Sequence, residues 1–461
     1  MTDDRHNYPL SMPVRFEQIM PQRGAGAPAG EAGHAMKLES YWLDSGERFA
    51  RAEPGPLPTR ASVVVVGGGF TGMAAARTLA LAGTDVVVIE AGRIAGEASG
   101  RNGGQCNNGI AGDMAALISR FGIERATALY RAFDAGVDRV EAIVTEEHIA
   151  CDFTRNGKLK LADKPEHAAK LARAAEVLAQ TVEPDLRLLS RAGLSDEIAS
   201  DAFHGGLVFP RSASLHMGRF AAGLADAAVR HGARLFEDAP LTAMTRLPGG
   251  RHRLTTPRGT IEADAVLLAT GASMAGPFAW LRRRIVPIGS FIVATEPLGA
   301  LARTILPGRR NGTTTRNIGN YFRLTADDRL IFGGRARFAL SSPRSDLRSG
   351  EVLQAGMRRI FPQLADTRIT HTWGGIVDLT ADRLPRAGER DGVFYALGYS
   401  GHGTQMSVLM GETMARIIGG ARSVDENPFH ALPWPAVPGH FGPPWFLPAV
   451  GAYYRYQDWR H

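Results

Sequence analysis

Between residues 60 and 90 the apolar positions form two short unbroken runs, VVVV at 63–66 and VVVI at 86–89, with a glycine cluster and an alanine-rich stretch between them. Runs that are short, β-branched and free of polar alternation predict parallel strands buried on both faces. The segment GGGFTG at 67–72 fits GxGxxG and opens the predicted helix, and Glu90 closes the second run. Strand, glycine turn, helix, strand and acid follow in the order a dinucleotide site requires. Gly67 permits the tight turn, Gly69 lets a pyrophosphate approach, and Gly72 lets helix meet strand. Phe70 and Thr71 begin the helix, whose amides and partial positive charge suit an anion. Glu90 takes ribose hydroxyl protons, and Ala91 and Arg93 complete this part of the expected cofactor set.

The pattern then changes. Residues 112–204 read as mostly helical, with a hairpin-like CDFTRNGKLKLAD at 151–163 whose Asn156-Gly157 is a turn signal. Residues 283–338 read as strands, and NYFRLTADDRLIFGGRARF pairs two of them around an Asp-rich turn. The predicted fold is therefore α/β: a discontinuous Rossmann-like domain over 60–113, 205–275 and 371–425, interleaved with an α+β substrate domain over 114–204 and 276–370. The second domain is expected to stand on a mostly antiparallel sheet. Residues 1–59 and 426–461, aromatic and proline-rich at their ends, read as docked terminal extensions.

Composition narrows the class. With 461 residues, 44% of them hydrophobic, the chain can bury large cores. Its two cysteines, Cys106 and Cys151, form no CxxC or metal-type spacing, which points to a reducing cytoplasm and no metal site. The N-terminus has no apolar run resembling a signal, and no membrane span is expected. The net charge of +7 comes almost wholly from arginine, the only lysines being Lys37, Lys158, Lys160, Lys164 and Lys170. No basic run exceeds LRRRI at 281–285, so nucleic acid is not an expected partner.

The loop GEASGRNGGQCNNG at 96–109 decides between cofactors. A nicotinamide enzyme usually continues from its second strand into another helix. Here an extended glycine-rich segment follows, long enough to run along a ribityl chain to a flavin ring. With VVVVGGGFTG before it, the loop resembles the D-amino acid oxidase superfamily, and within it the gamma-glutamylputrescine oxidase-like branch. IEADAVLLATGAS at 261–273, HTWGGIVDLTADRLPRAG at 371–388 and FYALGYSGHGTQMSVLMGETMARII at 394–418 extend the resemblance over most of the chain. The resemblance implies FAD, with Ser99, Gly100, Arg101, Asn102, Gly103, Gly104 and Gln105 along it and Thr270 and Gly271 in the second cofactor-domain turn. Read without the family, Gly401, His402, Gly403 and Thr404 set backbone amides at a helix start, facing an anion such as the negative edge of a reduced flavin. One preorganised donor of that kind is worth about 3 to 4 kcal/mol in a measured case.

The family's usual target is a C–N bond, and the amine must first lose a proton. His371, Asp378, Asp382 and His402 lie in the flavin-proximal segments and are candidates, as is Trp373. Each also has a plain reading: turn caps for the two acids, a satisfied strand residue for His371, backbone alone for His402 and a core aromatic for Trp373. Tyr321 and Arg323 alternate on one strand face, where they offer an aromatic wall and a carboxylate clamp, or simply a solvated edge. Covalent flavoproteins of the superfamily attach the ring through His or Cys; here the loop has Asn102 where a histidine could stand, and the C-terminal segment has no cysteine, so noncovalent FAD is expected. No lysine follows Lys170, whereas the similar sarcosine oxidases use one from the later half to activate oxygen; here arginine or histidine would have to serve. Three readings follow: an oxidase of a small aliphatic amine or N-substituted amino acid that makes peroxide, a dehydrogenase passing electrons to a quinone or carrier, and an RNA-binding or catalytically idle flavoprotein.

Overall fold

The computed structural model describes residues 36–273 and 275–460. Two eight-stranded sheets organise them. The first runs Arg386–Arg390, Val393–Leu397, Gly259–Leu268, Arg60–Val66, Val86–Ile89, Arg234–Phe236. Its contacts from Val393–Leu397 to Arg234–Phe236 are all parallel. Val86–Ile89 is buried at every residue, as its unbroken β-branched run requires. The helix Phe70–Leu81 leaves the glycine turn and packs against Gly403–Ile418. A Cβ on Gly411 would stand 2.4 Å from the carbonyl oxygen of Thr71, so the two helices meet almost backbone to backbone.

The second sheet runs Ile369–Leu379, Val286–Thr295, Leu330–Gly334, Asn320–Leu324, Asn311–Thr314, Lys158–Leu161, Gly205–Phe209, Arg187–Ser190. All its pairings are antiparallel except that of Asn311–Thr314 with Lys158–Leu161. Asn320–Leu324 and Leu330–Gly334 form the hairpin read from the Asp-rich turn. The strands Gly205–Phe209 and Ile369–Leu379, placed by sequence in the cofactor segments, instead run in this sheet.

The expected hairpin at 151–163 does not form. Thr154 bridges to Ser214, while both edges of Lys158–Leu161 are taken by Gly205–Phe209 and Asn311–Thr314. Gly157, at φ +74°, makes the turn but joins two different partners.

Register across the second sheet sets the rest. Leu207 pairs with Lys160, Lys160 with Thr313, Thr313 with Tyr321, Tyr321 with Gly333, Gly333 with Ile292 and Ile292 with Trp373. Directly paired residues share a face, so Lys160, Tyr321 and Trp373 stand in one row on one side of the sheet. Two residues along, Arg323, Ile331, Ala294 and His371 form the next row. Among the described residues no helix is long and apolar enough to cross a membrane.

Candidate functional site

The glycine turn has the geometry its spacing predicts. Gly67 has φ +114°, and a Cβ there would come within 2.5 Å of the Ala269 carbonyl oxygen. A Cβ on Gly72 would stand 1.9 Å from the Gly67 carbonyl, so only glycine lets helix and turn close. Gly69 is the helix N-cap and offers no side chain to it. The Phe70 amide donates to Ser99 Oγ at 3.0 Å, while the helix leaves the Thr71 and Gly72 amides without intrahelical partners. Glu90 accepts from the amides of Gly68 at 2.6 Å and Gly92 at 2.8 Å. Burial raises its pKa, and each carboxylate oxygen keeps a lone pair for a sugar hydroxyl. Ala91 is exposed beside it, and Arg93 points outward to pair with Glu237 at 2.6 Å.

The loop after this turn is held by its carbonyls. Ser40 Oγ donates to Gly100 O at 2.7 Å and Trp42 Nε1 to Asn102 O at 2.6 Å. Trp373 Nε1 donates to Arg101 O at 2.9 Å and Arg323 Nη1 to Gly104 O at 2.7 Å. Asn102 closes the turn on itself, donating to Ser99 O and accepting from the Gly104 amide, both at 2.9 Å. A Cβ on Gly103 would lie 2.5 Å from the Tyr321 ring, and one on Gly104 2.4 Å from Arg323 Nη1. The glycine pair therefore serves first to let the loop lie flat against the second sheet. Gln105 continues the tie, donating to Phe322 O at 3.1 Å. Cys106, next along, is wholly buried, which pushes its thiol pKa up.

The third component is the start of the helix Gly403–Ile418. Tyr399 OH and Thr71 Oγ1 share a hydrogen bond of 2.7 Å, and Gln405 Nε2 donates to Asn107 O, so this turn meets both the first glycine turn and the loop. A Cβ on Gly401 or Gly271 would meet nothing within 4 Å, at φ of +96° and +53°. Thr270 immediately precedes Gly271 where the strand Gly259–Leu268 ends. His402 is the N-cap of the helix but supplies no side-chain cap; its ring packs edge-on against Phe133, and its buried Nδ1 has no hydrogen-bond partner. Burial, with the charges of Lys158, Lys160 and Arg383, lowers its pKa to about 3. First-turn amides at Gly403 and Thr404 and an unpartnered polar atom give an extended cofactor what it needs at this end. The residues present fit FAD.

The remaining candidates have other partners. His371 donates or accepts at Asp44 Oδ2 (3.0 Å) and Thr370 Oγ1 (2.9 Å), with Tyr41 edge-on, so it anchors the short helix Tyr41–Ser45. Asp382 holds Arg386 at 2.8 Å and Arg120 at 3.2 Å. Asp378 accepts from the Gly398 amide at 2.6 Å, and burial lifts its pKa to about 6; it braces the turn before His402. Arg323 is buried, not on a solvated edge, and bonds the carbonyls of Gly104 and Leu215 at 2.7 Å and of Leu324 at 3.1 Å, all backbone. Tyr321 keeps its hydroxyl for Ser290 Oγ at 3.1 Å, and burial raises its pKa to about 12.

Sequence reasoning missed Ser40 and Trp42, which lie in a segment with no periodic signal. It also missed Lys158, whose strand joins the second sheet only through non-local pairing. Lys158 Nζ donates to Asn108 O at 2.7 Å, at the end of the cofactor loop. A lysine thus reaches this sheet after all, from before residue 170. Burial is the main cause that lowers its pKa, to about 7.

Comparison with known proteins gives three findings. A family model described as FAD dependent oxidoreductase matches residues 62–417. Gamma-glutamylputrescine oxidoreductase of Escherichia coli (strain K12) is 32% identical over 385 residues, covering 83% of this chain and 89% of that protein. Among solved structures, glycine oxidase from Geobacillus kaustophilus superposes with a TM-score of 0.67 at 25% identity, over 81% of this chain and 98% of that one.

Proposed function

The chain belongs to the FAD-dependent oxidoreductase family whose model matches it over residues 62–417, and on that premise we propose that it oxidises a C–N bond of a small aliphatic amine or N-substituted amino acid, of the gamma-glutamylputrescine type, in the cytoplasm. The observation that carries this reading is the loop 98–105, whose carbonyls at residues 100, 101, 102 and 104 are all tied to side chains from outside it. A loop fixed that way presents a rigid edge between the first glycine turn, which it meets through Ser99, and the second sheet.

FAD, when bound, supplies the hydride acceptor, with water hydrolysing the oxidised product and oxygen taking the electrons as peroxide. The chain's part is to bind, orient and desolvate. The helix start at Phe70 to Gly72 would hold the pyrophosphate of a bound FAD, Glu90 its ribose, and the amides of Gly403 and Thr404 an anionic edge of the ring. A substrate ammonium of ordinary pKa, about 10.4, costs about 4 kcal/mol to deprotonate near pH 7.5, and a dry site reduces that cost. His402, neutral at its lowered pKa, offers Nδ1 as an acceptor to the amine N–H. Tyr321, kept neutral, forms with Trp373 the wall of the sheet row facing the loop.

The test is an amine panel with the purified holoenzyme, following flavin bleaching without oxygen and peroxide with it. Bleaching by an aliphatic amine and matching peroxide supports the oxidase. Bleaching without peroxide, with turnover restored by a quinone or dye, moves the acceptor assignment to the dehydrogenase. No bleaching by any amine overturns the substrate reading.

A further inference from the structure

A cavity of about 390 Å³ opens where the cofactor loop ends, at Gly109 and Ile110. Enclosed ligand sites run from roughly 300 to 1,000 Å³, so it suits a small molecule or one end of a longer one. Lys158, Lys160, Lys170 and His167 line it, against only two acids, Asp113 and Asp458. Three of the chain's five lysines meet here.

The two acids are already satisfied. Asp113 caps the helix Met114–Phe121, accepting from the Ala115 amide at 2.7 Å. Asp458 accepts from the Asn317 and Ile318 amides at 2.9 and 2.8 Å. Lys158 is also engaged, with Asn108 O at 2.7 Å and its ammonium 4.1 Å from the Phe209 ring centroid, and the buried carboxyls of Asp134 and Glu183 act on it. His167 shares a bond of 2.7 Å with Thr315. Lys160 differs. It lines the cavity, forms no hydrogen bond or ion pair with any described residue, and has only the distant help of Asp113 against burial. A partly buried cation without a counter-ion is costly, and an incoming anion relieves that cost.

Met114, Leu171, Ala174, Val177 and Leu178 give the lining an aliphatic portion, beside the aromatic Tyr130 and Phe209 and the polar Thr315, Asn317 and Gln457. A cation beyond an aliphatic wall matches an anionic group carried on a methylene stem. We propose that this cavity holds the carboxylate-bearing end of the amine substrate, with Lys160 as the residue that pairs with the carboxylate. Register supports continuity with the site: Lys160 shares its sheet row with Tyr321 and Trp373, and its charge acts on His402. The assignment rests on the amine-oxidase reading and adds a specificity residue to it.

The experiment compares γ-glutamylputrescine with N-butyrylputrescine, which keeps the amide and the terminal amine but lacks the α-carboxylate and the α-ammonium beside it. Wild-type holoenzyme, Lys160→Met and Lys160→Arg are assayed on both, and glutarate binding is measured by calorimetry. Loss of one charge-assisted hydrogen bond corresponds to about 10- to 100-fold. Lys160→Met should raise KM for γ-glutamylputrescine by that factor with kcat within about twofold, leave N-butyrylputrescine unchanged, and lose glutarate binding; Lys160→Arg should recover most of both. Equal effects on the two amines, or none on either, overturn the proposal while leaving the amine-oxidase reading intact. If wild type oxidises neither amine, that reading fails instead, and glutarate then judges the cavity: binding lost in Lys160→Met keeps the anion site, and no binding to wild type removes it.

Discussion

Trp373 and Arg101 tie each other's backbones: the indole N–H of Trp373 donates to Arg101 O at 2.9 Å, and Arg101 Nε donates to Gly374 O at 2.7 Å. One residue comes from the second sheet and the other from the loop that follows the first. This reciprocal pair fixes where the loop runs, and so where a ring at its end would lie.

Trp373→Phe keeps the packing but leaves the Arg101 carbonyl without its donor. An unsatisfied buried acceptor costs about 1 to 3 kcal/mol. Thermal melts should shift down accordingly, and the purified variant should hold less flavin per chain. An unchanged melting temperature with full flavin would show that the loop is positioned by other contacts.

Two glycines of the first turn should fail differently. At Gly69 a Cβ meets only Ser99 Oγ, at 3.0 Å, and that side chain can rotate; at Gly72 it meets fixed backbone at 1.9 Å. Gly69→Ala should therefore give folded protein that retains little FAD, and Gly72→Ala should be poorly soluble. Wild-type flavin should leave with the supernatant on acid denaturation, since Asn102 offers no attachment. Full flavin occupancy in Gly69→Ala would displace the pyrophosphate from this turn.

The helix Phe70–Leu81 is braced by charge. Arg77, 5% exposed, meets Glu147 at 2.6 Å and Glu412 at 3.6 Å. Burial pushes the Glu147 carboxyl up, but bonds from His231, Arg77 and Arg230 outweigh it and leave it at about 2. A carboxylate with a depressed folded pKa binds fewer protons folded than unfolded, so its contribution is full above the unfolded value of 4.5 and is lost as pH falls toward 2. Urea midpoints should fall through that window in wild type. Glu147→Gln should lower the midpoint at pH 7, by an amount equivalent to about 3 kcal/mol for a broken buried pair, and should flatten the acid slope.

Oxygen reactivity should titrate with a lysine. Burial lowers the pKa of His371 and takes that of His402 down to about 3, so His402 stays neutral between about pH 6 and 9. Lys158, lowered to about 7, gains its charge as pH falls through that value. Stopped-flow reaction of amine-reduced enzyme with oxygen should therefore quicken below about pH 7, with the step absent in Lys158→Met and retained in His402→Leu. A step that survives in Lys158→Met would assign the charge elsewhere.

The sequence by itself determined what is local. Val86–Ile89, the glycine turn at 67–72 and the hairpin of Asn320–Leu324 with Leu330–Gly334 are where the pattern put them, because burial on two faces and turn chemistry act within a few residues. Tertiary structure alone decided partners. Arg323 and His371 alternate along strands as expected, but which backbone carbonyls meet the guanidinium, and that Asp44 meets the imidazole, depends on how a short N-terminal helix docks. Lys158 and Lys160 line the cavity at the end of the loop because Lys158–Leu161 pairs with strands far away in sequence. Strand order is settled by the packing of whole sheets, and no window of neighbouring residues carries that information.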